Sequence, residues 1–158
     1  MGAPCGSVED KHAADRGGME AAHFAARSAA LSPSHGCAIA SEDKVISCGR
    51  SGTPPSVSAT SSRLDGPDRE RWVEHAARNA IYAAAKSGLS TAGAAAYMTV
   101  FPCAECMRGL IQCGINRLCV PQPERESEQW QTALAMADEA GMRVVSVGRA
   151  TQSFKHVK

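Results

Sequence analysis

The order in which helix-forming and strand-forming stretches follow one another constrains this chain more than any other feature. Residues 19–31 (MEAAHFAARSAAL) set Ala22, Ala25, Ala26 and Ala29 at helical spacing among strong helix formers, and Ser32-Pro33-Ser34 stops the run. Two short apolar runs, 37–40 and 45–48, flank Ser41-Glu42-Asp43-Lys44 and read as a hairpin. The chain then alternates. A helix over 70–87 ends at Gly88, a strand covers 95–101, and Pro102 opens a helix that closes at Gly114. A strand over 115–120, a helix over 127–140 with Gly141 as its stop, and a strand over 143–147 complete the series. The order α-β-β-α-β-α-β-α-β demands crossovers, which are right-handed and cover both faces of a largely parallel sheet. The expected fold class is α/β, a three-layer α/β/α sandwich around a five-stranded mixed sheet.

A chain of 158 residues, 44% of them hydrophobic, is sized for one core and one domain. Residues 1–15 mix Gly, Pro, Ser and charges without periodicity and read as a disordered arm, 16–150 as the domain and 151–158 as a tail. Residues 49–68, GRSGTPPSVSATSSRLDGPD, are too long for an ordinary connection, and loops of that length serve function or move. Seventeen basic against sixteen acidic residues leave a net charge of +1, which argues against a nucleic acid partner and for a small-molecule substrate. With 4% aromatic residues there are few rings on which successive bases could stack. No apolar run nears the roughly 20 residues that a bilayer requires, so no membrane association is expected. Acidic residues stand where a secretory signal would carry its apolar stretch, so the expectation is a soluble, cytoplasmic protein whose seven cysteines are reduced.

Pro102-Cys103-Ala104-Glu105-Cys106 sets two thiols three positions apart at a helix start, where free backbone amides favour the thiolate, the metal-binding form. Alone, the pattern also fits two small buried residues or a redox dithiol. His75, 28 positions before Cys103, changes the balance. Two helix starts flanking one sheet can bring it to the thiols, and a neutral imidazole with two thiolates is a typical zinc set that leaves one position open. The expectation is one Zn2+ per chain on His75, Cys103 and Cys106, with water or hydroxide as the fourth ligand.

The stretch Trp72-Val73-Glu74-His75-Ala76-Ala77-Arg78-Asn79-Ala80-Ile81, taken with Thr99-Val100-Phe101-Pro102-Cys103-Ala104-Glu105-Cys106, resembles the zinc-dependent cytidine and deoxycytidylate deaminase superfamily. Its signature is H-x-E followed by P-C-x-x-C. Residues 98–115 and the loop Gly49-Arg50-Ser51-Gly52-Thr53-Pro54 are most similar to deoxycytidylate deaminases, and the resemblance covers about residues 32–147. It implies hydrolytic deamination. Zinc lowers the pKa of its water from about 15.7 towards ~7, and the hydroxide attacks the carbon bearing the exocyclic amine. A glutamate two positions after the zinc histidine carries protons to the ring nitrogen and the departing ammonia. The simplest substrate is the nucleotide deoxycytidylate, yielding deoxyuridylate. The resemblance also implies a homo-oligomer, dimer or larger.

The chain departs from the family at the glutamate, whose position holds Ala77. Glu74 precedes the histidine and Glu105 lies between the cysteines, so neither is placed to substitute. General acid–base groups contribute about 10²–10⁴-fold, so the chain as written is expected to bind zinc while turning over very slowly. A natural pseudoenzyme and an introduced knockout both read this way, and retention of the remaining site favours the knockout. By resemblance, Asn79 lines the substrate pocket, and Ser51 stands where deoxycytidylate deaminases carry an asparagine contacting sugar or phosphate. Residues 121–125, PQPER, lack the tyrosine those enzymes place near the base, and Trp130 either takes that role or packs on the core. Cys37, Cys48, Cys113 and Cys119 read as small core residues, and Arg50, Arg63 and Arg78 as solvated charges. Other functions stay open: deamination of another amine-bearing base or nucleoside, a silent zinc- or nucleotide-binding module, a structural zinc domain closed by a further thiolate such as Cys48 or Cys113, and, more weakly, editing of a nucleic acid, against which the net charge of +1 argues.

Overall fold

Core membership alternates along the inner strands, so both faces of the sheet are covered. In β1 (Gly36–Ser41), Cys37 and Ile39 join one apolar cluster while Ala38 and Ala40 join another. β3 (Ala95–Met98) divides Ala96 and Met98 from Tyr97, and β4 (Arg117–Pro121) divides Leu118 and Val120 from Cys119. This is the period of two that a strand imposes. The computed structural model describes residues 8–121, 128–147 and 154–156. One helix, α1 (Val8–Arg27), covers the Tyr97 face through Met19 and Ala22. Three helices, α4 (Ala76–Lys86), α5 (Ala104–Gln112) and α6 (Glu128–Glu139), cover the other. The three-layer sandwich is the one expected.

The sheet is larger and less parallel than the sequence implies. With β2 (Lys44–Arg50), β5 (Arg143–Val147) and β6 (Phe154–His156) it has six strands in the order β2-β1-β3-β4-β5-β6. The sixth lies in the stretch expected to be a tail and pairs antiparallel with β5. Only β3–β4 and β4–β5 are parallel, because β1 is antiparallel to both β2 and β3. The crossover through α4 carries the chain from β2 across β1 to β3, so β2 and β3 run the same way with β1 reversed between them. The hairpin turns on Glu42 and Asp43 at φ 50° and 62°, the positive values a two-residue turn needs to match strand twist.

Helix boundaries shift where tertiary partners intervene. α1 begins at Val8, so residues 8–15 of the arm expected to be disordered are helical, and Asp15 is only 2% exposed. The helix expected over 70–87 is divided into α3 (Arg69–Trp72) and α4, with Val73 and His75 in extended backbone between them. Glu74 exchanges two backbone hydrogen bonds with Gly52, at 3.1 and 2.8 Å, and these replace a helical ladder at that point. A further single turn, α2 (Ser61–Leu64), interrupts the 49–68 loop. Both α1 and α4 press on the hairpin. A Cβ at Gly36 would lie 1.9 Å from the Ala22 carbonyl oxygen, and one at Gly49 2.2 Å from the Ala80 nitrogen, so only glycine fits. Residues 1–7 of the expected arm, 151–153 and 157–158 of the expected tail, and 122–127 (with most of PQPER) and 148–150 of the expected domain lie outside the described residues. No helix among the described residues is long and apolar enough to cross a membrane.

Candidate metal centre

The C-terminal ends of β2 and β3 and the start of the reversed β1 meet at one end of the sheet, the place where α/β folds leave a crevice. Two helices also begin there. His75 is the N-cap of α4 and Cys103 the N-cap of α5, both in extended backbone, with Cys106 in the first turn of α5. The double backbone bond between Gly52 and Glu74 ties the loop after β2 to the residue before His75. In this way the strand–helix junctions bring residues from distant parts of the chain to one point.

His75 Nδ1 lies 3.5 Å from Cys103 Sγ and 3.4 Å from Cys106 Sγ. All three donor atoms fall within 4.8 Å of one another, and theirs is the one such His, Cys, Asp or Glu group among the described residues. A tetrahedral zinc with the usual bond lengths separates a nitrogen from a sulfur by about 3.6 Å, so the donor set and its spacing fit zinc. The protons are unevenly held. The hydrogen bond from the Cys106 thiol pulls Cys103 down to about 3 against the effect of burial, with His75 adding to the pull. The same bond, with burial, pushes Cys106 up, and the hydrogen bond to Cys103 raises His75. On the far side of the ring, His75 Nε2 is 3.4 Å from Glu70 Oε2, which holds the imidazole with Nδ1 towards the sulfurs.

A cavity of about 290 Å³ opens over this cluster, lined among others by His35, Ser51, Glu70, Phe101 and Trp130. Trp130 meets Phe101 edge-on at 6.3 Å between ring centres, so it both packs on the core and walls the cavity. Arg69 also lines it, and its Nε is buried with no hydrogen-bond partner among the described residues. Ala77 is fully buried in the core beside this end of α4.

The remaining expected residues divide. Ser51 lines the cavity, but its hydroxyl accepts the His35 backbone N–H at 3.1 Å and so fastens two loops together. Asn79 does not line this cavity. Its amide donates to the Arg50 carbonyl at the end of β2, at 2.8 Å, and the residue lines a separate groove. Cys48 is exposed rather than a core residue and Cys113 is half-buried, and neither joins the donor group, so among the described residues no fourth side chain closes the site. Arg78 is no solvated charge: it donates to both Glu74 and Glu105, which accounts for those two carboxylates. Glu70 and Arg69 escaped the sequence reading. The signal, a charged pair five and six positions before His75, acquires meaning only when α3 folds over the cavity.

Fold and donor set together are those of the cytidine deaminase-like class of α/β/α domains. Residues 13–121 match the family model for the cytidine and deoxycytidylate deaminase zinc-binding region, and the chain belongs to that family. It is similar to the "Probable deoxycytidylate deaminase" of Drosophila melanogaster, 28% identical over 118 residues covering 67% of this chain and 57% of that protein. The deoxycytidylate deaminase of Pongo abelii is 29% identical over 115 residues, covering 67% of this chain and 62% of its own length. The chain therefore spans about three-fifths of the length of these two relatives. Among solved structures, the dCMP deaminase of cyanophage S-TIM5 in apo form shares the fold, with a TM-score of 0.69 at 19% identity over 88% of this chain and 98% of that one. The same phage protein in complex with dCMP and dUMP has a TM-score of 0.64 at 21% identity, over 89% and 98%.

Proposed function

We propose that this site is built for zinc-dependent hydrolytic deamination of an aminopyrimidine nucleotide, most simply deoxycytidylate to deoxyuridylate, and that Ala77 disables proton transfer in the chain as it stands. The observation carrying this reading is the His75, Cys103 and Cys106 set at the foot of a cavity, in a chain of the deaminase family. Zinc, when bound, acidifies water and supplies the nucleophile. The chain's own residues bind, orient and exclude. Phe101 and Trp130 offer an apolar wall suited to a planar base. Arg69, among the residues lining the cavity, brings a cation to it, which supports a nucleotide over a free nucleoside.

The disposition of the groups around the three donors supports the loss of proton transfer. Ala77 holds no proton, Arg78 engages Glu74 and Glu105, and Glu70 stands on the Nε2 side of His75, away from the sulfurs. Retention of His75, Cys103 and Cys106 around this position supports a replaced glutamate. Assembly as a homo-oligomer, dimer or larger, and a cytoplasmic setting belong to the same reading. A second reading, a nucleotide-binding module without chemistry, draws its support from Ala77 itself.

The experiment is ammonia release by Ala77→Glu beside the unchanged chain, with zinc and a panel of deoxycytidylate, cytidine, deoxycytidine, modified cytosines and aminopurines. Turnover only in the variant, led by deoxycytidylate and raised at least about 10²-fold, is expected. Silence of both proteins across the panel, with zinc bound, would sink the deaminase reading in favour of the binding module.

A further inference from the structure

Arg78 is the third residue of α4, in its first turn, where it reaches both segments that carry the donor atoms. Its Nε donates to Glu74 Oε1, and its terminal nitrogen donates to Glu105 Oε2 at 2.8 Å. Glu74 immediately precedes His75, and Glu105 lies between Cys103 and Cys106. The Glu74 carboxylate does more than neutralise charge: Oε1 also accepts the His75 backbone N–H at 2.9 Å, and Oε2 accepts the Tyr82 hydroxyl at 3.4 Å. The Arg78 and Glu74 side chains are only 24% and 21% exposed, so solvent screens this contact less than an ordinary surface pair. The Glu105 arm is more open, at 60%. A planar guanidinium bonded to two carboxylates fixes direction as well as distance, which a lysine ammonium does not.

We infer that Arg78 is a positioning residue for the metal set: by clamping Glu74 to Glu105 it holds His75 at its spacing from Cys103 and Cys106. The inference rests on reading those three residues as zinc ligands. Its chemistry is that of an outer-shell partner, which orients ligands it never replaces.

The test is zinc affinity, read by competition with a chromophoric chelator, and the absorption spectrum of the cobalt-loaded protein, for the unchanged chain, Arg78→Met, Arg78→Lys and Glu105→Gln. Loss of the clamp is expected to weaken zinc binding by about 10–100-fold in Arg78→Met and to alter the cobalt bands, with Arg78→Lys recovering part of the affinity. Circular dichroism checks that each variant is folded. Glu105→Gln removes only the exposed arm and decides the matter should Arg78→Met fail to fold: weakened binding supports the clamp, and unchanged binding overturns it. A folded Arg78→Met with unchanged affinity and an unchanged cobalt spectrum overturns it equally. If the unchanged chain takes no zinc, the ligand reading fails and the inference falls with it.

Discussion

His35 lines the cavity and shows how a single residue there answers to its neighbours. Burial lowers its pKa from the ordinary value, and the positive charges of Arg69 and His75 lower it further. The unfolded chain takes up this proton near pH ~6.5, the folded chain only at lower pH. Protonation therefore favours the unfolded state, and stability falls as the pH drops through about 6.5, until the folded value is passed. His35→Asn removes this component while leaving His75 in place. In urea unfolding at about pH 7.5 and about pH 5.5, the unchanged chain is expected to lose more stability than the variant; equal losses would show that His35 titrates as freely as in the unfolded chain. At this scale the clustering of His75, Cys103 and Cys106 was legible, because the two cysteines carry their spacing in the chain and His75 precedes them at a helix start. The groove that Asn79 lines was not, because motif membership does not reveal which hollow a side chain meets.

At the scale of elements, α1 depends on one buried polar contact. Asp15 accepts hydrogen bonds from two terminal nitrogens of Arg117 and, at 2.9 Å, from the Tyr97 hydroxyl, fastening the helix to β3 and β4. The Asp15 side chain is 3% exposed and that of Arg117 19%. Asp15→Ala would leave the guanidinium buried without its partner, and the expected loss is about 3–5 kcal/mol by chemical denaturation. A loss below about 1 kcal/mol would mean that water or rearrangement replaces the carboxylate. Residues 8–18 have no apolar period and contain two adjacent glycines, so the sequence offers little reason for a helix there. The sheet supplies that reason: Gly18 lies so close to the Tyr97 ring that an added Cβ would come within 2.5 Å of it. The break between α3 and α4 is likewise decided by the Gly52 and Glu74 backbone bonds rather than by local propensity.

For the molecule as a whole, the proposed assembly has a surface on which to act. Phe24 and Tyr82 are 69% and 53% exposed and line one groove with Cys48, beside the unpaired edge of β2. Apolar surface next to an open strand edge favours association. Sedimentation at micromolar concentration is expected to show a dimer or larger species, and a monomer throughout would overturn the oligomer. What the sequence by itself determined is the layered α/β/α architecture and the identity of the donor set, because periodic burial and ligand spacing are local properties of the chain. What only the tertiary structure decided is the reversal of β1 between parallel neighbours, the reach of α1, the engagement of Arg78 with distant Glu105 as well as with Glu74 one helical turn away, and the placement of Arg69 and Glu70 over the cavity. In each, a partner brought in by the fold, not the residue's own propensity, supplies the free energy.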